Sequence, residues 1–446
     1  MTKLFSHKNL LIMCWAIAIL HLIHSLLRHV IGRQNNILIS SEIVLFFLMV
    51  AVAIGYYLLN RPKIKLTIDI VLLLLLFFWL ILSCLVQTVI SGQDYFLMNS
   101  PEMTDLEIII IVYLLGKRCA IHGIRKFTEY ILKAILAIVT VSMLFILCSI
   151  FTNTYFITPN DGYIGMFGGT DFQINCHRNF VGAGAMTISL ICFCLILVSK
   201  TKMQKIIYSV FFVIHYFALI LSCSRTGILS ALVGFIVIVG IVFYMHFDKS
   251  KPSLRILYSS LGALISGAIF FVLRYPVFRL YSSIVAQFGG NSLGAREIID
   301  ASTVTMNSRT TIWKYCLEIM LTPRYMITGS TPAGSVDALL DLTNNTLTYP
   351  HAHNQILQVG ISLGIPGMCI FIVLLILIAI KCLKALFGRN YTTGIKFMPC
   401  LILAIMIDNM AERYSMFYQF FISYVFFFLC GYVVAYEPKL QDGLTR

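Results

Sequence analysis

TIDIVLLLLLFFWLILSCLVQTVI, residues 67–90, is an almost unbroken apolar run, and its reading decides the fold. A helix of this length covers a hydrocarbon layer of about 30 Å. Arg61, Lys63 and Lys65 stand just ahead of it, as positive charge does on the cytoplasmic side of a span. Comparable runs lie near Asn9–Leu27, Ile37–Leu59, Leu106–Ala120, Tyr130–Phe151 and Phe180–Ser199. Others lie near Ile206–Ser222, Thr226–Phe247, Ile256–Leu273, Gln355–Ile380, Phe397–Met410 and Met416–Tyr436. The chain therefore predicts an all-α integral membrane protein of about twelve transmembrane helices. No removable signal peptide is expected, because the first apolar stretch is long and no small-residue cleavage site follows it.

Composition agrees with this class. The 446 residues are 59% hydrophobic and 12% charged, with mean hydropathy +0.89. A soluble core cannot hide that much apolar surface. With Lys3 and Lys8 in the cytoplasm, lysine dominates the inner loops, as in Lys200/Lys202/Lys205 and Lys381/Lys384/Lys396. The other loops hold Arg28, Arg33, Arg178, Arg225, Arg274, Arg279, Arg296, Arg309, Arg324 and Arg413, with Lys314 as their lysine. Much of the formal +14 is then a topology signal, and no nucleic-acid partner is expected. The chain lacks a G-x-x-x-x-G-K-[ST] loop, which excludes a self-contained ATP-driven pump.

The arginine bias has chemical meaning. A guanidinium fork grips phosphate bidentately, whereas lysine is a point charge. Residues 274–354 read as one large extracytoplasmic loop, between a bundle of about nine spans in 1–273 and one of about three in 355–446. Within that loop Ile312, Trp313, Cys316, Ile319 and Met320 recur at helical spacing. Asn307 and Ser308 are N-cap types just ahead, Pro323 supplies a stop, and Arg309 falls at the helix start, where an anion is favoured.

The loop ends in His351-Ala352-His353-Asn354. In an extended stretch alternate residues share a face, so the two imidazoles are expected side by side, and a neutral imidazole accepts a proton near pH 7. Metal ligation is the rival, but the nearest carboxylates, Asp337 and Asp341, show no metal spacing, so no metal is expected. Cys176, Cys223 and Cys316 lie outside or at the membrane boundary, and the 13 cysteines show no disulfide framework. Glu42, His21, His24, His215 and Asp408 lie in or near spans, as a proton path or as inter-helix contacts. They sustain a transporter or lipid-linked-oligosaccharide flippase as a reading from another class.

Three segments, Leu221-Ser-Cys-Ser-Arg-Thr-Gly-Ile-Leu229, Ser308-Arg-Thr-Thr-Ile-Trp313 and His351-Ala-His-Asn-Gln-Ile-Leu357, resemble those of the bacterial O-antigen polymerase and O-antigen ligase family. Their order and the long loop before the histidines match as well. The resemblance implies a glycosyltransferase of the C superfamily that needs no metal or other cofactor, with its active site outside the cytoplasmic membrane. Its donor would be a glycan on undecaprenyl pyrophosphate, with membrane lipid, a flippase and chain-length regulator proteins as partners. Arg225 and Arg309 match the family's two outer arginines, and His353, with His351 as alternate, its catalytic histidine. Arg178 resembles a further anion contact, with Arg296, Trp313 and Asn354 as expected substrate contacts. One departure is the stretch Gln358-Val359-Gly360-Ile361-Ser362, where many members carry an acidic residue after the histidine motif, so no carboxylate role is expected there. Polymerisation of repeat units is the leading expectation, and ligation of a finished glycan to an envelope acceptor is the alternative.

Overall fold

The computed structural model describes residues 66–121, parts of 133–144, 163–166, 174–222, 224–247, 250–287, 306–344, 351–388, 390–413, 416–417 and 421–438. Its helices are α1 (Ile68–Ser91), α2 (Tyr95–Met98), α3 (Ser100–Ile121), α4 (Arg178–Val198), α5 (Lys202–Leu221) and α6 (Arg225–His246). They continue as α7 (Pro252–Gln287), α8 (Met306–Leu321), α9 (Gly334–Leu342), α10 (Gln355–Phe387), α11 (Thr393–Asn409) and α12 (Phe421–Ala435). A short antiparallel ribbon, β1 (Tyr163–Met166) with β2 (Ile174–His177), pairs Tyr163 with His177 and Met166 with Ile174. The rest of the described chain is helix and connection, and the ribbon lies in a stretch where sequence signalled only turns.

The expectation of about twelve spans in a glycosyltransferase C-type architecture is corrected. Among the described residues six helices are long and apolar enough to cross a membrane: α1, α4, α5, α6, the Pro252–Val277 part of α7, and α10. They support a multi-pass membrane protein. The run at Leu106–Ala120 falls within α3, which also carries Glu102, Asp105, Glu107, Lys117 and Arg118, too many charges for a lipid-facing span. The last two runs form α11 and α12, which at 17 and 15 residues are shorter than a full crossing. Those at Asn9–Leu27 and Ile37–Leu59, and most of Tyr130–Phe151, lie outside the described residues, as do Glu42, His21 and His24.

The chain divides into two compact units. In one, which takes in Arg309–Ile378 and Arg413–Tyr432 with the amino-terminal third, α3 packs on α12 at backbone contact. A side chain on Gly116 would strike the Phe428 carbonyl, and one on Gly431 the Tyr113 carbonyl. Small residues permit that approach where lipid supplies no hydrophobic drive. The same unit holds a break in α10. Gly364 is non-helical at φ 70° and ψ −177°, and Pro366 follows it. The carbonyls released there are taken up: Ile361 accepts from Ser330 N–H and Ser362 from Thr331 N–H, both at 2.9 Å. Leu363 accepts from the Trp79 indole at 2.9 Å, and Ile365 N–H donates to Met326 at 2.9 Å.

In the other unit, which takes in Leu136–Ser308 and Ala379–Glu412, α4, α6 and α11 meet at Gly234, whose missing side chain makes room for Leu190 and Ala404. Phe193, Phe212, Tyr216, Phe235 and Phe270 form a chain of ring contacts through α4–α7. The sequence left His215 open between a proton path and a helix contact. It is buried in α5, with Nε2 2.9 Å from Thr140 Oγ1.

One buried ion pair joins α1 to α3. Lys117 Nζ lies 2.7 Å from Asp69 Oδ2 and 2.6 Å from Thr67 Oγ1, and Tyr113 donates to the same carboxylate at 2.6 Å. A charge stranded in such surroundings costs more than the pair gains. Lys117→Met or Asp69→Leu alone should therefore destabilise the protein by about 3 kcal/mol. The double variant should recover most of that loss in thermal midpoints measured in detergent. Equal loss in all three would show that the pairing is not what matters.

Candidate active site

The histidine stretch is a capped turn. Asn354 Oδ1 accepts from the Ile356 and Leu357 amides at 3.0 and 3.1 Å, so it caps α10. Just ahead, His353 has φ 46°, in the left-handed region, so the stretch is turned and not extended as the sequence suggested. The turn still brings the imidazoles together, with ring centroids 3.7 Å apart. His353 N–H donates to His351 Nδ1 at 3.2 Å. A neutral His351 therefore carries its proton on Nε2, since Nδ1 is accepting.

Three side chains hold this turn. Gln358 accepts from Ala352 N–H at 3.0 Å and donates to Ser335 Oγ at 3.0 Å and Ser362 Oγ at 3.3 Å, all buried. The position where sequence marked a departure thus carries an amide that both accepts and donates. Trp313 Nε1 donates to the Ala352 carbonyl at 3.0 Å, so the indole of α8 steadies the histidine turn. Gln355 clasps the Met416 backbone with its side-chain amide, donating to the carbonyl at 3.4 Å and accepting from the N–H at 3.3 Å. Ser335 and Gln355 were not picked out by sequence reasoning, and Gln358 was marked only as part of a stretch that departs from the family. The position of Gln358 and Gln355 in the first turn after the cap was the available signal.

Below the turn, Ile312, Cys316, Ile319 and Met320 of α8 pack with Leu339, Ala352 and Ile361. The apolar face expected of that helix is therefore a core face, and burial pushes the Cys316 thiol up to about 12. Cys316 is free, and Cys223 lies outside the described residues. The helix starts at Met306, ahead of the expected caps, so Asn307 and Ser308 lie in its first turn with half-buried Arg309 beside them. Arg309 and Trp313 are four residues apart and share one edge of α8.

Arg225 and Arg178 fall in the other unit, where two helix starts come together. Arg225 is the first residue of α6, half-buried, and Ser224 caps that helix by accepting from Gly227 N–H at 3.3 Å. Ser222 Oγ accepts in turn from Ser224 N–H at 3.2 Å. Arg178 is the first residue of α4, reached directly from β2. A methyl group on Gly227 would lie 3.0 Å from the Gly182 carbonyl carbon, so the two helix starts touch through glycine. Paired amino termini add positive dipole ends near the helix-starting arginines, which suits an anion. Asn179 ties the start of α4 to the end of α11, donating to Glu412 Oε1 at 2.7 Å. Arg296 lies outside the described residues.

Thus His351, His353, Asn354 and Trp313 come together on one turn, with Arg309 on the helix that braces it. Arg225 and Arg178 each open one of the two helices that touch at Gly182 and Gly227. Residues 209–372 match a protein-family model described as O-antigen ligase, which bears out the resemblance read from the three segments. The match supports a role in processing lipid-linked glycans of the O-antigen kind. Among curated proteins, none matches the chain.

Asn354→Ala should lower stability by about 1 kcal/mol, the usual loss of an N-cap, whereas Asn354→Asp keeps the acceptor and should not. Denaturation in detergent distinguishes them. A harmless alanine would mean that the cap does not hold the turn.

Proposed function

We propose that this chain transfers a glycan from a polyprenyl pyrophosphate to a hydroxyl acceptor of the cell envelope, the ligase form of the reaction. Sequence alone favoured polymerisation, and the family match shifts the preference. The observation that carries the reading is that Arg225, Arg309 and the pair His351 and His353 all fall within the matched residues 209–372. The charge alternation along the loops favours the extracytoplasmic side for this chemistry.

In the proposed step, the acceptor hydroxyl attacks the anomeric carbon and the glycosyl–phosphate bond breaks. Negative charge grows on the departing diphosphate, and preorganised guanidinium groups are suited to it. Arg225 and Arg309 take that role, with Arg178 as a further contact. His353 accepts the hydroxyl proton as general base. His351, accepting a backbone N–H at Nδ1, presents Nε2–H and orients the acceptor as a donor. Trp313, Asn354 and Gln358 are positioning residues, acting through the turn. Because the charge stabilisation comes from arginines, no metal is assigned to the reaction.

Purified protein in lipid, supplied with a polyprenyl-pyrophosphate glycan and an envelope acceptor, should give one product carrying a single transferred chain. A ladder of longer lipid-linked glycans would return the polymerase reading, and transport with no new bond would support a flippase. His353→Ala and Arg225→Lys should insert normally and lose on the order of 100- to 1000-fold in rate. Activity should persist in EDTA, and loss restored by a divalent cation would assign the imidazole pair to a metal instead.

A further inference from the structure

The segment joining α8 to α9 sits deeper than a surface loop. Gln87 donates to the Gly329 carbonyl at 2.7 Å and to Thr328 Oγ1 at 3.3 Å. Gln87 lies four residues, about 6 Å of helix rise, before the end of α1 at Ser91. Trp79, which donates to Leu363, lies twelve residues, about 18 Å, before that end. Both belong to a helix long and apolar enough to cross a membrane. Residues 328–331 and the break in α10 are therefore pinned alongside the span itself.

Apart from Thr322 and Arg324, the latter lying over the Tyr325 ring, the exposed side chains flanking this segment are apolar. Leu75, Phe78, Leu82, Leu85 and Val89 form one outward stripe along α1, with Val89 85% exposed. On α10, Val373 and Ile376 face outward beyond the break. Met326 and Ile327 are 40% and 56% exposed, and the Met326 carbonyl accepts from Ile365 one turn from that surface. The Ile327 carbonyl also lies where a side chain on Gly364 would be, so no side chain separates the two strands of backbone.

Non-helical backbone survives at membrane depth only where its polar groups are satisfied by protein. Several of them are: Gly329 N–H donates to Tyr325 at 2.8 Å, Ser330, Thr331 and Ile365 donate across the break, and the Gly329 carbonyl accepts from Gln87 at 2.7 Å. Gly329 itself, at φ 70°, approaches Ser362 so closely that any side chain would collide. A turn in water would need neither these bonds to α1 and α10 nor outward Met and Ile.

We propose that residues 326–331 form a re-entrant turn inside the hydrocarbon layer, with Met326 and Ile327 in contact with lipid acyl chains. The occupant of that apolar surface is the bilayer itself, because the helix that holds this segment, α1, carries an outward apolar stripe along its length. The turn and the break in α10 then act as one short non-helical piece, joined by the bonds from Ser330, Thr331 and Ile365.

Ile327→Trp and Met326→Trp, reconstituted into phosphatidylcholine vesicles with brominated acyl chains, test this by fluorescence. Each should lose most of its added emission relative to unbrominated vesicles. Asp341→Trp, on the exposed face of α9, should keep its emission. Full emission from both turn variants, in protein with the parent's thermal midpoint, would overturn the proposal. Quenching of either one while Asp341→Trp stays bright supports it. If both variants fold poorly, aqueous iodide quenching of Leu321→Trp decides instead: protection supports the turn and ready quenching overturns it. Glycan transfer plays no part in these readings, so they stand or fall apart from the enzymatic proposal.

Discussion

A helix that breaks in apolar surroundings must find partners for every amide and carbonyl it frees, since no water is at hand. In α10 that demand falls on Ile361, Ser362, Leu363 and Ile365, and it is met by Ser330, Thr331, Trp79 and Met326. Much of this unit follows from that one requirement. Gly329 and Gly364 are glycines because two backbones touch there. The first turns of α10, ahead of the break, are held as a short separate piece. At the front of that piece sit Asn354, His353 and His351, with Gln358 bonded back to Ala352.

The spans were legible wherever hydrophobicity alone sets the structure. The run at 67–90 became α1 within a residue of its expected bounds, and the runs at 226–247 and 256–273 became α6 and the apolar part of α7. What misled was length without charge. α3 contains an apolar run, yet Asp105, Glu107 and Lys117 interrupt its face, and the partners of Asp105 and Lys117 on other helices cannot be seen in a single sequence. Tyr424 reaching Asp105 at 3.4 Å joins residues more than 300 apart. No local window carries that information.

The candidate site was legible in its residue types and opaque in its supports. The paired histidines were expected to share a face, and they do, but through a left-handed turn and not an extended strand. A histidine at φ 46° is strained by roughly 1 kcal/mol or more, and it persists because Asn354, Gln358 and Trp313 fix the chain on either side. The glutamine was noticed only as a departure from a family pattern, and its role emerges from three hydrogen bonds that converge on it. Similarly, Arg225 and Arg178 stand far apart in sequence as isolated cations. The contact between Gly182 and Gly227 is what makes them neighbours by helix start, and glycine is too common a residue to announce that by itself.

The order of the chain also bears on how the protein is made. Trp79, Gln87, Met326, Gly329, Ser330 and Thr331 all precede the break at Gly364. Synthesis runs from the amino terminus, so each partner has left the ribosome before the glycine emerges. The hydrogen bonds that close the break therefore require no segment made after it, whereas Gln355 at the head of the helix does await Met416.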